Sequence, residues 1–595
     1  MDALLKVNKE LKTDSLNIKS LLNLKHYLIL REKDRTELQE KLFLLGLSSL
    51  GRSYAHILAS VSNIYDQLCY FNDREELNDK DVADLNYISI QDATAIASQN
   101  AKELFGKNSG SIFNKQHTSI MITLPSHAAK NNGALIHQLA NAGVNIFRIN
   151  TAHDNETVWK EMADVIFSIN EKRKPDDKIK IFVDLAGPKI RTGKIQKIDM
   201  PIVIGSNKIE KEVMICSCDL PTKGEEINPE TLDKNPAQIA VKKAFFKHLA
   251  ENKEIQVNGF NHKKAVIKLT EVTDTYAKGL INKKISVGKN SKLKSGKHEK
   301  DILNLQMQTD PIRLFTDDPL IITENDLLGR SAVLDEKNNI IHPAIISCGV
   351  KGVLASVKAG DKVFIDDGKI ALSVVENRVD SILCSVLNAK EEGTLLKEEK
   401  GINFPDTQIK TKAITQADRS NALSVLPFAD SLSISFCQTP DDVLDIQNLL
   451  YENNRSDIGI VVKIETKRAV TNMPKILKQL LRSQKSGVMI ARGDLAIEVG
   501  FENMAYIQET LLDICEAAHI PVIWATQVLE SKMKNNLPSR AEVTDAAMAG
   551  RAECVMLNKG SFALGTIDVL IHILDTMHSI SKKNRQLLKK ETLWH

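Results

Sequence analysis

Lys463 and Glu465 stand two residues apart in the apolar run GIVVKIE (459–465), and a second apolar run, GVMIAR (487–492), continues directly into Gly493 and Asp494. On a strand, residues two apart project from the same face, so Lys463 and Glu465 point the same way. Two carboxylates at neighbouring strand ends, Glu465 and Asp494, suit a divalent cation that takes its remaining ligands from substrate oxygens and water. Lys463, with Arg148 in NIFRIN (145–150), suits the neutralisation of charge on a phosphoryl group in transfer. Local salt bridges are the plainer account of any one pair. Arg492-Gly493-Asp494 also spells an adhesion tripeptide, which belongs on an exposed loop tip of a secreted protein.

The elements that position these residues can be read from the apolar periodicity. From Ser119 onward, strand-like runs alternate with helical ones: SIMITL (119–124), NIFRIN, KIFVDL (180–185), SLSISF (431–436), GIVVKIE, GVMIAR, PVIWATQ (521–527) and CVMLNKG (554–560). Eight strand-helix units predict an α/β fold, a (β/α)₈ barrel. An open doubly wound sheet is the rival, but no Gly-rich dinucleotide fingerprint follows any strand. The polar residues gather at the strand ends: Arg148 and Asn150, Asp184, Ser435, Lys463 and Glu465, Arg492 and Asp494, and Thr526. Barrel active sites are built from such strand ends.

Residues 1–116 read as a helical N-terminal region, with apolar residues spaced at three and four, and DREELNDKD (73–81) reads as a linker or loop. The barrel is expected over 117–193 and 401–582, interrupted after the third strand by a β-rich insertion at 194–400, with a tail at 583–595. Within the insertion, NKKISVGKNSKLKSGKHEK (282–300) is strongly basic but has no aromatic residue for base stacking, so a solvated loop is expected there. A formal charge of +3 on 595 residues argues against nucleic acid as the main partner. Eight scattered cysteines without ligand spacing, no apolar run near ~18 residues and no signal-like N-terminus predict a cytoplasmic protein with no membrane segment.

At these residues the sequence resembles the pyruvate kinase family. NAGVNIFRINTAHD (141–154), VDLAGPKIRTG (183–193), KGINFPDTQIK, VVKIET, GVMIARGDLAIEVG and WATQVLESKMKNNLPSRAEVTDAA follow the family's order. The resemblance implies transfer of phosphoryl from phosphoenolpyruvate to ADP, giving pyruvate and ATP. It implies Mg²⁺ (or Mn²⁺) on Glu465 and Asp494, with Lys463 stabilising the phosphoryl group. The backbone around Ala491, Arg492 and Gly493 would receive the substrate carboxylate, near Ser435. Arg148, Asn150, His153 and Arg191 would face the nucleotide phosphates. Thr526 would sit beside the carbon that is protonated, and the insertion would act as a mobile lid.

Departures from the family pattern shape further expectations. Of the monovalent-cation site, Asn150 and Asp184 remain, while Ala152 and Leu185 stand where hydroxyls are expected. Lys189 replaces the commoner glutamate, which implies that K⁺ is not required, since a fixed ammonium supplies the missing charge. LNKGSFALG at the eighth strand carries no acid between Met556 and Gly565, which puts the protonation step in question. The family's C-terminal domain, with its effector sites, is not expected, and the N-terminal region could supply homo-oligomer contacts instead. A metal-dependent oxo-acid lyase of the same barrel type, and a catalytically weak pseudokinase, stay open as alternatives.

Overall fold

The computed structural model describes residues 17–47, 50–72, 88–106, 118–199, 202–206, 210–218, 237–259, 263–288, 291–302, 307–409 and 412–582, with Leu4, Lys6, Arg585 and Gln586. The expected DREELNDKD linker and most of the expected tail lie outside them. The chain forms two compact units, one of Met1–Arg191, Val350–Ala389 and Lys400–His595, the other of Thr192–Gly349 and Lys390–Glu399.

The first unit contains a closed barrel of β1 (Ser119–Thr123), β2 (Ile146–Asn150), β3 (Lys180–Asp184), β4 (Ser431–Ile434), β5 (Gly459–Ile464), β6 (Ser486–Ala491), β7 (Val522–Ala525) and β8 (Cys554–Leu557). Every neighbouring pair is parallel, and β8 closes on β1 with Ser119 opposite Cys554. Ser435, Glu465, Arg492 and Thr526 each occupy the first position beyond their strand. There the ladder no longer fixes the backbone, so the side chains can reach a common mouth.

Strand alternation sorts the apolar residues into two cores. Ile120, Ile122, Phe147, Ile149, Val183, Ile460 and Val462 pack in the main core, which includes the surrounding helices. Their sequence neighbours Met121, Ile146, Phe182, Val461 and Met489 form a separate inner cluster. Period-two alternation in a barrel wall has this outcome, one set facing out and the other in.

The N-terminal region supplies the floor of that inner cluster. Its helices are α1 (Ile18–Arg31), α2 (Thr36–Leu44), α3 (Ile57–Phe71) and α4 (Ile90–Phe105). Ser89 caps α4 by accepting from the Asp92 amide at 3.0 Å, and Gly106, at φ 80°, ends it. The last two residues of α4, Leu104 and Phe105, are buried among the inward-facing strand residues, Phe105 with its ring centroid 5.9 Å from that of Phe182. Gly459 and Gly487 make room for the plug, because a Cβ on either would lie 2.7 or 2.6 Å from a Leu104 methyl. Asn23 of α1 donates to the carbonyls of Tyr54 and Ala517, and the His519 ring bridges Ser20 Oγ and the Ala55 carbonyl. The N-terminal region thus packs on this chain's own barrel.

In the same unit, Lys362–Ile365, Ile370–Asn377 and Ser381–Asn388 form an antiparallel meander. The second unit is built on a seven-stranded sheet whose strands alternate buried and exposed residues, as in Lys264–Val272. The basic run 282–300 corrects the expectation of a loop: Ile285–Val287, Lys292–Ser295 and His298–Asp301 are strands. The reason is period two, for Ile285, Val287 and Leu293 are buried while the lysines on either side of Leu293 are exposed. The charge count hid a β pattern.

Candidate active site

Arg148, Asp184, Lys463 and Glu465 are all buried, at 8, 1, 9 and 3% exposure. Charges are tolerated in such places only when paired. Arg148 Nε and Nη2 lie 2.8 and 2.7 Å from Asp184 Oδ2, and Nη1 donates to Thr123 Oγ1 at 2.8 Å. Lys463 Nζ lies 3.0 Å from Glu465 Oε1 and 3.6 Å from Asp184 Oδ2, and it donates to Ser435 Oγ at 2.9 Å. Ser435 Oγ in turn donates to the Leu185 carbonyl at 2.6 Å. The cluster draws one group or more from β1, β2, β3, β4 and β5 ends, and its formal charges cancel.

The electrostatic consequence follows from the packing. Burial alone would raise the Asp184 carboxyl, but the Arg148 and Lys463 charges overcome it and hold the group below the usual aspartate range. Burial alone would lower the Lys463 ammonium, but Glu465 and Asp184 keep it above the usual lysine range. Lys463 is therefore a fixed cation at the barrel mouth. The simpler interpretation, pairwise salt bridges, accounts for individual contacts but not for their convergence from several strands.

The two carboxylates expected to share a metal are each held by a lysine. Glu465 accepts from Lys463 at Oε1 and from the Phe436 amide at Oε2, 2.6 Å. Asp494 accepts from Lys189 Nζ with both oxygens, at 2.7 and 2.9 Å. Lys189 also lies 5.9 Å from the Phe436 ring centroid. This donor set is oxygen only and fits a hard divalent cation rather than a soft one. Among the described residues no group of three or more His, Cys, Asp or Glu converges, so substrate and water oxygens must complete any shell.

The Ala-Arg-Gly-Asp corner is built as a strand-to-helix turn. Helix Arg492–Val499 begins directly after β6. The Arg492 side chain pairs with Asp545, donates to the Ala525 and Thr526 carbonyls, and lies 4.5 Å from the Trp524 ring centroid. It is a strut between β6 and β7, not an exposed adhesive tip. Gly493 N donates to Thr526 Oγ1 at 2.9 Å, and Thr526 sits at φ 66°. A β-branched residue in the left-handed region is strained, and such strain collects at functional sites.

The remaining residues lie on the β2, β3 and β8 side. Asn150 is opposite Asp184 in the β2–β3 register, and its Oδ1 accepts from the Ala152 amide at 3.1 Å. Arg191 forms a β-bridge with Gly401. The His153 imidazole is held below its usual value, first by burial and then by the Lys559 charge, with Arg191 and Arg148 adding to it. Lys559, from LNKGSFALG, thus adds a cation to the face where Arg148 and Arg191 stand. Gly560 is required where it is, because a Cβ there would lie 2.3 Å from Met533 Cγ.

A family model described as the barrel domain of pyruvate kinase matches residues 115–227 and 301–568. The chain belongs to the pyruvate kinase family. It is 32% identical to the pyruvate kinase of Bacillus licheniformis over 292 residues, 48% of this chain and 46% of that protein. It is 36% identical to the pyruvate kinase of Dictyostelium discoideum over 237 residues, 38% of this chain and 45% of that protein. The chain spans about half the length of these relatives. A crystal structure of a pyruvate kinase from Cryptosporidium parvum superposes with a TM-score of 0.51 at 22% identity, covering 81% of this chain and 70% of that one, which shows a shared fold.

Some features of this pyruvate kinase-family barrel had no sequence signal. The reach of Lys189 to Asp494 spans 305 residues, and nothing local announces it. The Arg492–Asp545 strut spans 53 residues, although Asp545 lies within the quoted motif ending TDAA. Glu498, four residues after Asp494, reads in the sequence as an ordinary helix charge. Burial pushes its carboxyl up to about 7, against hydrogen bonds from Asn403 and the Lys467 amide and with help from the Asp494 and Asp406 charges.

Proposed function

We propose that the chain is a pyruvate kinase-type phosphotransferase that moves a phosphoryl group from phosphoenolpyruvate to ADP. The observation that carries this reading is the buried, charge-balanced cluster that keeps Lys463 cationic beside two carboxylates. Lys463 stabilises the phosphoryl group as its bond to the enol oxygen breaks and a bond to the terminal ADP oxygen forms. Arg148, with Asn150, His153 and Arg191, orients the nucleotide phosphates. Ala491, Arg492 and Gly493 offer backbone to the substrate carboxylate, with Ser435 holding Lys463 in line. Thr526 stands where the enol carbon takes up its proton. Glu465 and Asp494 would hold Mg²⁺ or Mn²⁺, which supplies positive charge to the substrate carboxylate and phosphoryl oxygens.

Residues 117–193 and 401–582 form the catalytic domain in this reading, residues 1–116 an N-terminal domain, and 194–400 a lid insertion, of which Val350–Ala389 belongs to the compact unit that holds the barrel. Lys189 supplies the charge that K⁺ would bring, so turnover is independent of K⁺. The eight cysteines are scattered without the spacing of a disulfide framework, which supports a reducing, cytoplasmic setting. No helix among the described residues is long and apolar enough to cross a membrane. A homo-oligomer is proposed on the family resemblance alone.

One observation favours a second reading. Asn558, Lys559 and Gly560 close β8 without a carboxylate, so the proton relay is incomplete and the chain is a weak kinase or an oxo-acid lyase. Both readings meet one test: pyruvate release from phosphoenolpyruvate, ADP and Mg²⁺, for wild type and Lys463→Met. Turnover lost in the variant supports the kinase. Mg²⁺-dependent oxalate binding with no turnover in the wild type refutes it in favour of the second reading.

A further inference from the structure

We propose that a cleft beside the metal corner is a second ligand site, which takes a small organic anion, and that Lys189 links its occupancy to Asp494. The cleft encloses about 560 Å³, a volume typical of small-molecule sites. Its walls come from the loop after β3, the end of β4, segment 402–409 and the start of helix Lys467–Leu480. All belong to the barrel unit.

The charge in the cleft is positive. Lys467 and Arg468 both line it, and neither has a carboxylate partner among the described residues. Among the described residues Arg468 donates to the neutral Gln438 side chain, at 3.3 Å. Both stand in the first turn of a 14-residue helix, whose dipole adds to their field. Glu498 lines the same wall, but burial leaves its carboxyl substantially protonated at neutral pH, and it accepts from Asn403 at 3.3 Å. Asp406, the other carboxylate, is exposed and accepts from the Lys362 amide. Phe404 and Phe436 give the cleft apolar surface for a carbon body. An unpaired cation pair over an apolar wall recognises a carboxylate, sulfonate or phosphate head on a small hydrocarbon.

Lys189 is shared between the two places. Its Nζ holds both oxygens of Asp494, and the same side chain lines the cleft. An anion in the cleft competes with Asp494 for that ammonium and frees the carboxylate for a divalent cation. This link, unlike the site itself, rests on Asp494 being a metal ligand as proposed above.

The probe is benzenesulfonate, which is a poor metal ligand. Calorimetric titration into metal-free protein gives saturable binding in the wild type. The Lys467→Ala/Arg468→Ala variant, altered at one exposed and one half-buried position, melts normally and loses about tenfold or more in affinity, the worth of one charge-assisted hydrogen bond. Lys463→Met binds the probe as the wild type does, which separates this site from the proposed catalytic one. Unaltered affinity in the double variant, or no saturable binding in the wild type, overturns the site. Electron paramagnetic resonance of Mn²⁺ then shows tighter metal binding with the probe present, and Lys189→Met abolishes the difference. Equal Mn²⁺ affinity with and without probe in the wild type overturns the link. None of these readouts needs turnover, so they stand apart from the test of phosphoryl transfer.

Discussion

Asp184→Asn is the most informative single change to the buried cluster. It keeps the size and shape of the side chain and removes the charge that faces Arg148 at 2.7 Å and Lys463 at 3.6 Å. Lys463 retains Glu465 at 3.0 Å, but Arg148 is left with neutral acceptors, the Thr123 hydroxyl and the new amide oxygen, and no counter-charge at hydrogen-bond distance among the described residues. Removing one partner of a buried ion pair typically costs about 3–5 kcal/mol, because the other charge stays buried without compensation. An expected loss of about 4 kcal/mol is roughly a thousandfold in the folding equilibrium. Trp159 and Trp524 are both buried in the barrel unit, so their fluorescence through a urea titration reports on it. The Asp184 carboxyl lies below its usual value of 3.8 when folded, so its stabilisation is complete above that value and is lost only as pH falls through the folded pKa. The difference between variant and wild type is therefore flat from about pH 5 to 8. Arg148→Met on the Asp184→Asn background removes the stranded cation and leaves the Lys463–Glu465 pair intact. The double variant recovers about 2–3 kcal/mol against the sum of the singles. A single-variant loss below about 1 kcal/mol, or strict additivity, refutes the claim that the four charges act as one buried unit.

Gly487→Ala drives a Cβ to within 2.6 Å of Leu104 and costs about 1–3 kcal/mol. Leu104→Ala costs about 2–5 kcal/mol by itself but relieves the clash, so thermal melting of the pair shows strong non-additivity; independent costs would dismiss the plug. Lys189→Met frees both oxygens of Asp494, so Mn²⁺ binding measured directly tightens while any turnover comes to depend on K⁺; unchanged Mn²⁺ affinity counts against the contact as a constraint on the metal corner. Glu498, with a folded pKa of about 7 against a usual 4.5, stabilises fully below 4.5 and loses that contribution as pH rises through about 7. Glu498→Gln removes the loss, so at pH 8 it is more stable than the wild type by up to about 3 kcal/mol, and the advantage vanishes near pH 4; a pH-independent difference argues against the buried carboxyl.

The barrel and its mouth were legible in the sequence because both depend on short-range order. Eight apolar runs, each broken by a polar residue at its end, give strand count, direction and the end that carries the polar groups. Lys463 and Glu465 share a face by period two, and the structure joins them at 3.0 Å. The contacts that lock the site were not legible, for they depend on where long loops return. Lys189 meets Asp494, Arg492 meets Asp545 and Ser20 meets His519 only after the chain has folded. The basic run at 282–300 departs from the expected loop for a related reason. Lysine on the open face of a strand leaves composition dominated by charge, while the deciding signal is the alternation beneath it.

The two ends of the barrel interior divide the work between them. At the N-terminal end of the strands, Leu104 and Phe105 complete an apolar cluster with Met121, Phe182 and Val461, and glycines at 459 and 487 let α4 approach closely. At the other end, the same inward-facing registers carry Arg148 two residues after Ile146, Asp184 after Phe182, and Lys463 after Val461. A buried charge cluster contributes little net stability, because desolvation offsets the Coulombic gain. The apolar end must therefore supply what the charged end does not. That explains why the N-terminal helices are tied to the barrel by side chains as buried as Ser20, Asn23 and His519: they hold in place the floor on which the charged layer rests.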